Sequence, residues 1–469
     1  MRTNNSAFPV ELLADIFTYL LEVSDGQSVI SLVPITHVCS SWRAAALGTA
    51  KLWTDITIPE LALARACFER SGELPVSLSI RSEDPDQNLD PTAQFVSTQL
   101  DRIRHLTLTF KTREQLCRFL LMLERAPPSL EEFSVDIAEG FAFEHWEDDP
   151  LFPDEVFQML SPSLGTLSSL SFTARSILAT ENIPPLLRAC PRLEKLKIAA
   201  DPFEFTMPTP DDIVRLPNLK SMVLEGRHGV GSILRRVAVP RTCHMLVEMR
   251  TPYSGHGALP GTVRGTLACV DGLKRLEYIF EWTEDRKTHI LRGYHQSEPS
   301  AQAVPSVEIR YPIDDRSGRT EEMLRGRPRD VSKVDVLIIN GFYGHYHHSW
   351  WPDSRRAAWI TALRPFNAVR RLSIVGLDSN AAMMLASALE QFADAGQSFA
   401  VVPEMGVLEL ADLSEAEDQY NSVYKMIVQR ARLGTLLEVK VRNVAGWDRA
   451  LVARLMEDTS GKVIVTMDE

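Results

Sequence analysis

The chain of 469 residues has little that would announce a chemistry of its own. Its six cysteines, Cys39, Cys67, Cys117, Cys190, Cys243 and Cys269, are scattered and never form a C-x-x-C pair. That excludes the common zinc and dithiol arrangements and points to reduced, mostly buried thiols. No apolar run approaches the roughly 18 residues of a membrane span. The apolar N-terminal stretch is interrupted by Glu11 and Asp15, so it does not read as a signal peptide. Positive charge is not in excess: the formal net charge is −12, which argues against nucleic acid as a partner. Neither H-E-x-x-H nor G-x-S-x-G occurs. With 45% hydrophobic and 24% charged residues, an ordinary folded protein is expected.

What is present begins with "FPVELLADIFTYL". Placed on a helix from Phe8 to Leu20, it puts Pro9 in the first turn, where a missing N–H costs nothing. Leu12, Leu13, Ile16, Phe17, Tyr19 and Leu20 then cover an arc of about 160°. Leu13, Ile16, Phe17 and Leu20 form one face, and Leu12, Ile16 and Tyr19 an overlapping one. That is wider than one packing stripe, so one face suits this protein and the other a partner. Next, Ile35, Val38, Trp42 and Ala45 recur at helical spacing, with Gly48 as a stop. Leu52 and Trp53 follow as a separate apolar pair. Some 50 residues bury little surface alone, so this unit needs completion by a partner, by the rest of the chain, or by both.

These residues resemble an F-box. The pattern of an apolar residue and Pro, then x-E-[LI]-[LI], I-F and a closing Leu is met by Phe8, Pro9, Glu11, Leu12, Leu13, Ile16, Phe17 and Leu20. Val38, Cys39, Trp42 and Arg43 match V-C-x-x-W-R, and Leu52 and Trp53 match L-W. Phe8 stands where Leu is more usual. The stretch from Glu22 to Ser31 is longer than the compact form, as in many fungal relatives. The resemblance implies a three-helix domain over residues 1–58 whose residues Phe8, Pro9, Leu12, Leu13, Ile16, Phe17, Leu20, Val38, Trp42, Leu52 and Trp53 dock a Skp-family adaptor. Through it the chain would join a cullin–RING ubiquitin ligase in the cytoplasm or nucleus. The competing reading is a helical cap on the remainder of the chain.

Residues 59–469 carry an echo. "APPSLEEFSV", "ACPRLEKLKI" and "RLPNLKSMVL" each give Pro, one residue, then L-x-x-L-x-L spacing. The same spacing recurs with middle positions at 106, 133, 170, 196, 222, 276, 307, 337, 372, 408 and 439. A gap wide enough for two repeats lies between Met222 and Leu276. Helical stretches such as "REQLCRFLLMLERA" and "NAAMMLASALEQFADAG" lie between the matches. Alternating strand and helix at this period suggests an α/β solenoid. It resembles the leucine-rich repeats that follow many F-boxes, with parallel strands on the concave face, helices on the convex face, and irregular coils because most lack the Asn or Cys that bonds neighbouring backbones. In that register Thr107, Ser134, Ser171, Lys197, Val223, Glu277, Glu308, Ile338, Ser373, Glu409 and Lys440 face a target protein. Of these, Lys197, Glu277 and Glu308 are named as target-binding residues.

Two stretches come close to chemistry. Gly226 and Gly231 fit a phosphate-binding loop, but Ser232 directly follows Gly231 and the lysine that neutralises phosphates is missing. A strand-to-helix turn explains the glycines. In "GFYGHYHHSWWPDSRR", His345, His347 and His348 offer metal ligands, Trp350 and Trp351 suit packing on the next coil, and Tyr346 with both tryptophans suits a target-recognition loop. No cofactor is expected. The expectation is a non-catalytic receptor subunit for a protein substrate, or, in second place, an interaction scaffold with an F-box-like cap.

Overall fold

The computed structural model describes residues 8–468 apart from 24–31, 59–60, 139–153, 180–182, 204–212, 227–229, 251–266, 283–286, 299–302, 313–330, 341–351, 378, 394–397, 414–416 and 445. The chain divides into two compact units, residues 1–221 and 222–469.

The first unit opens with α1 (Val10–Val23), α2 (Leu32–Thr36), α3 (Ser40–Gly48) and a single 3-10 turn at Ala50–Trp53. α1 starts just after Pro9, whose carbonyl accepts the Leu13 N–H at 3.1 Å. The spacing of Ile35, Val38, Trp42 and Ala45 predicts one helix, and two are found. Cys39 is fully extended (φ −159°) and its Sγ accepts the Trp42 N–H, so it caps α3. The Arg43 Nε donates to the Thr36 carbonyl across the break at 2.8 Å. The four residues do not share one burial: Ala45 is buried, Ile35 and Trp42 are half-buried and Val38 is exposed, so periodicity alone does not show the break. α3 ends at Gly48, as expected.

One residue after Trp53 the chain enters β1 (Asp55–Ile58), which pairs in parallel with β2 (Val76–Ser82). The expected domain end at residue 58 therefore coincides with the end of a sheet strand. β3 (Ile103–Phe110), β4 (Glu132–Ile137), β5 (Ser169–Ala179) and β6 (Lys195–Phe203) follow in chain order, all parallel. Burial alternates along them because successive side chains point to opposite faces. Leu106, Leu108, Phe133, Val135, Leu170, Phe172, Leu196 and Ile198 are buried, while Thr107, Ser134, Ser171 and Lys197 lie on the other, open face.

A backbone device joins the coils. The carbonyl of Glu131 accepts the N–H groups of both Ser168 and Ser169; Ser168 does the same for Glu194 and Lys195, and Glu194 for Lys220 and Ser221. The acceptor is always the residue after the first apolar position of the repeat. This satisfies backbone polar groups that a side-chain ladder would otherwise have to meet.

In chain order, two-residue strands β7 (Val214–Arg215) and β9 (Val237–Ala238) flank β8 (Ser221–Gly226). The second unit continues with β10 (His244–Met249), β11 (Arg275–Trp282), β12 (Lys287–Tyr294), β13 (Val307–Pro312), β14 (Val336–Asn340), β15 (Arg371–Val375), β16 (Val407–Ala411), β17 (Glu438–Arg442) and β18 (Ile464–Asp468). The expectation of parallel strands in chain order fails here. The spatial order is β8-β10-β13-β12-β11-β14-β15-β16-β17-β18, and β12 runs antiparallel to both neighbours. A hairpin of β11 and β12 places β13 beside β10, and β14 resumes the parallel series beside β11. Val304, expected in the core, is 72% exposed because β13 is entered from this hairpin and not from a helix-to-strand turn. β10 is the strand missed in the interval after Met222. From β14 onward the doubly accepting carbonyls return, at Lys274, Asp335, Arg370 and Gly406.

One buried cation organises this unit. Arg430, on the helix Glu417–Arg432, is 0% exposed. Its Nε and Nη2 donate to the Leu389 carbonyl at the end of the helix Ser379–Leu389 (3.1 and 2.8 Å). Nη2 also donates to the Val401 carbonyl (2.7 Å) and Nη1 to the Val402 carbonyl (2.9 Å). The guanidinium lies 4.0 Å from the centroid of the Phe399 ring. Burial pulls its pKa down to about 9. Val402 is β-branched yet sits at φ +48°, a left-handed conformation it adopts only when held.

Candidate functional site

The first site is the outer surface of α1. Leu13 and Phe17, one helical turn apart, are 1% and 0% exposed and turn inward. Phe17 meets Trp42 of α3 with ring centroids 5.3 Å apart. Leu52 and Trp53 are buried beneath, the indole Nε1 donating to the Ala46 carbonyl at 2.8 Å. The Arg70 guanidinium covers that indole at 4.3 Å, so Trp53 is gripped between α3 and the helix Leu61–Arg70.

The other apolar residues of α1 face outward. Leu12 is 44% exposed, Ile16 38%, Tyr19 65% and Leu20 43%, with Phe8 beside them at 51%. The face Leu13, Ile16, Phe17 and Leu20 is therefore split: Leu13 and Phe17 turn inward, while Ile16 and Leu20 belong to this outward set. The inward stripe is narrower because α3 and the 3-10 turn are short and reach only one line of side chains. Val33, Val38 and Leu47 are also exposed, and Trp42 is half-buried. Of the residues expected to dock a partner, Phe8, Pro9, Leu12, Ile16, Leu20 and Val38 are therefore on the surface. Leu13, Phe17, Leu52 and Trp53, expected to dock a partner as well, lie buried inside the unit.

The second site is the open face of the strands. The expected row is formed in register: Thr107 is opposite Ser134, Ser134 opposite Ser171, and Ser171 opposite Lys197. In the second unit Glu277, Ile338, Ser373, Glu409 and Lys440 line up in the same way. Lys197 is exposed. Glu277 and Glu308 are not free to receive a target. Glu277 accepts the Tyr294 hydroxyl at 3.0 Å and lies 3.2 Å from the Arg275 Nε. Glu308, 7% exposed, is held by Arg292 at 2.9 Å and by Arg310. Burial alone would raise its carboxyl, but hydrogen bonds from Arg292 and Arg310 outweigh that and hold it below the usual range. Arg292 escaped the sequence reading because β12 did; the alternation Ile290, Arg292, Tyr294 was its only signal. Further along, Glu409 pairs with Arg371 and Lys440.

Tyr346, Trp350 and Trp351, with His345, His347 and His348, lie outside the described residues. After β8 the chain forms the helix Val230–Arg236, and residues 227–229 of the glycine-rich turn are not described. Among the described residues no three His, Cys, Asp or Glu side chains gather as a metal site, and no helix is long and apolar enough to cross a membrane. All six cysteines are free thiols. Burial pushes Cys190, Cys243 and Cys269 up to about 12 and Cys67 to about 11, well above the range of a reactive thiol.

A family model described as F-box-like matches residues 6–59, the segment that carries α1, α2, α3, the buried Trp53 and β1. A comparison of the whole chain with curated proteins finds no match.

Proposed function

We propose that this chain is the substrate-receptor subunit of a Skp–cullin–F-box ubiquitin ligase. The F-box-like segment docks a Skp-family adaptor, and the strand-and-helix array, read as an irregular leucine-rich-repeat-like solenoid, holds a protein target in the cytoplasm or nucleus. The chain is then non-catalytic. It raises the local concentration of the target beside a ubiquitin-charged enzyme carried elsewhere in the assembly.

The observation that carries this reading is the outward apolar row Leu12, Ile16, Tyr19 and Leu20 on a helix whose inward side is already packed. A contiguous exposed apolar patch on a small unit marks an interaction site. Phe8, Pro9 and Val38, which are also exposed, contact the adaptor with it. Leu13, Phe17, Trp42, Leu52 and Trp53 act indirectly by holding α1 in place.

The test is co-purification. Leu12→Ala with Ile16→Ala removes two interface anchors at about 2 kcal/mol each, which weakens adaptor binding about a thousandfold. Both side chains are exposed, so the circular dichroism melt stays unchanged. If the intact chain never retains a Skp adaptor, the ligase reading fails and an interaction scaffold takes its place.

A further inference from the structure

One edge of the sheet is bare in the second unit. β18 stands last in it, and among the described strands only β17 is hydrogen-bonded to it. The Ile464 N–H donates toward β17, to the Leu437 carbonyl at 2.9 Å. Backbone groups alternate in direction along a strand, so the N–H and C=O of Val465 and Met467 point to the free edge. Such an edge is a template for another strand unless a proline, a bulge, an inward-pointing charge or a covering element blunts it. The sequence of β18, I-V-T-M-D, has no proline, and its pairing with β17 runs in unbroken register. Nor is it covered: Ile464 is 64% exposed and Met467 42%.

The residues of this edge form two rows. Val463, Val465 and Met467 belong to the face that packs under the helices, and burial fades along them from buried through half-buried to exposed. Lys462, Ile464, Thr466 and Asp468 follow the open face, where Ile464 stands opposite Glu438, Thr466 opposite Lys440 and Asp468 opposite Arg442. The charges of β17 are engaged: Lys440 lies beside Glu438 and Glu409, and Arg442 pairs with Asp412. Lys462 is exposed and has no ion pair among the described residues. A second β18, laid antiparallel about a twofold axis, completes the edge in a register that the residues choose. Centred on Ile464, it would set Lys462 opposite Thr466; centred on Thr466, it would set Ile464 opposite Asp468. Centred on Val465, it sets Lys462 opposite Asp468 of the second copy, at both ends of the pair. In that same register Val465 meets Val465 and Val463 meets Met467 in the apolar row, and Ile464 meets Thr466 in the other.

We propose that β18 pairs antiparallel with β18 of a second copy of this chain, about a twofold axis through Val465. The outward N–H and C=O of Val465 are exchanged with those of its symmetry mate. The axis stands perpendicular to the sheet, so the apolar rows of the two strands lie on the same side and Met467 is covered by Val463 of the second copy. The contact is self-complementary, as a twofold interface must be. A dimer joined here carries two F-box-like segments, and it does not depend on the ligase reading.

The test is analytical ultracentrifugation of the full chain over a concentration series. The mass is expected to double as concentration rises through the micromolar range, as suits a small interface. Val465→Pro removes an outward N–H but no bond to β17, since an edge strand tolerates proline where its N–H faces away from the sheet. It is expected to keep the thermal melt of the parent chain and to abolish the doubling. Lys462→Glu is expected to weaken the dimer about tenfold, through two exposed charge contacts per dimer. Adding Asp468→Lys to Lys462→Glu is expected to restore the parent value. A chain that stays monomeric at every concentration overturns the proposal and leaves the edge to a strand of another protein. A dimer indifferent to Lys462→Glu, or not rescued by the second change, overturns it as well, because another register or another surface then joins the copies. The charge reversal and its rescue decide the matter even if Val465→Pro lowers the melt.

Discussion

Arg430 should be the most costly side chain to alter in the second unit. It satisfies the buried carbonyls of Leu389, Val401 and Val402 at once. Replacement by methionine keeps the length and apolar stem but leaves the Leu389 and Val401 carbonyls without a donor, while Val402 keeps the Met405 N–H at 3.3 Å. Each buried carbonyl so orphaned costs roughly 1–3 kcal/mol. Part is offset, because the charge no longer has to be stripped of water. The left-handed turn at Val402 also loses one of the two bonds that hold its carbonyl, and such a conformation costs a β-branched residue about 1–2 kcal/mol. We expect a net loss of about 3 kcal/mol for Arg430→Met. Arg430→Lys should be little better, since one ammonium cannot span three acceptors on two segments. The assay is hydrogen exchange resolved by segment. Peptides spanning Ser379–Leu389 and Phe399–Met405 should exchange about a hundredfold faster, while β2 to β4 of the first unit serve as the unchanged reference. Rates within threefold of the parent chain would refute the reasoning and make Arg430 a passenger.

Acid should weaken the second unit through Glu308. Its folded carboxyl titrates below its unfolded value of 4.5, so its contribution is complete above about pH 4.5 and disappears as pH falls through the folded value. Urea midpoints measured from pH 7 to pH 3 should fall at the acid end, and Glu308→Gln should flatten that limb while lowering the plateau. In the first unit, Leu196→Asp buries an unpaired charge and should unfold several neighbouring coils. Lys197→Asp, one residue on and exposed, should melt with the parent chain; equal melts for both variants would reject the assigned register.

Where the sequence was legible, one physical rule did the work. Alternation places Leu106, Phe133, Leu170 and Leu196 inward, and their shared offset from a turn aligns Thr107, Ser134, Ser171 and Lys197 in one row. The same rule failed at β12 and β13. A pattern of apolar residues says which face a strand buries but not which direction it runs, so Val307 and Ile309 read as another coil although a hairpin delivers them. On α1 the apolar arc announced two contacts but not their division. That depends on how far α3 reaches, and the break at Cys39 that shortens α3 leaves no mark in the periodicity. The engaged state of Glu277 and Glu308 was invisible because their partners sit on the unexpected strand β12 and at the neighbouring positions Arg275 and Arg310.

The doubly accepting carbonyls set the terms on which this chain can drift. The acceptors are Glu131, Ser168, Glu194, Lys274, Asp335, Arg370 and Gly406, which share no side-chain property. A junction made by main chain alone asks nothing of the side chain, so each coil can change at this point without its neighbours changing in concert. Only the loss of an N–H would sever it. The chain has 28 prolines, several of them two residues before the first apolar position, as at Pro128, Pro191 and Pro217. None falls at the paired donors Ser168, Ser169, Glu194, Lys195, Lys220, Ser221, Asp335, Val336, Arg370, Arg371, Gly406, Val407, Leu437 and Glu438. The side chains at these junctions can therefore differ widely while the backbone step from one strand to the next stays chemically the same.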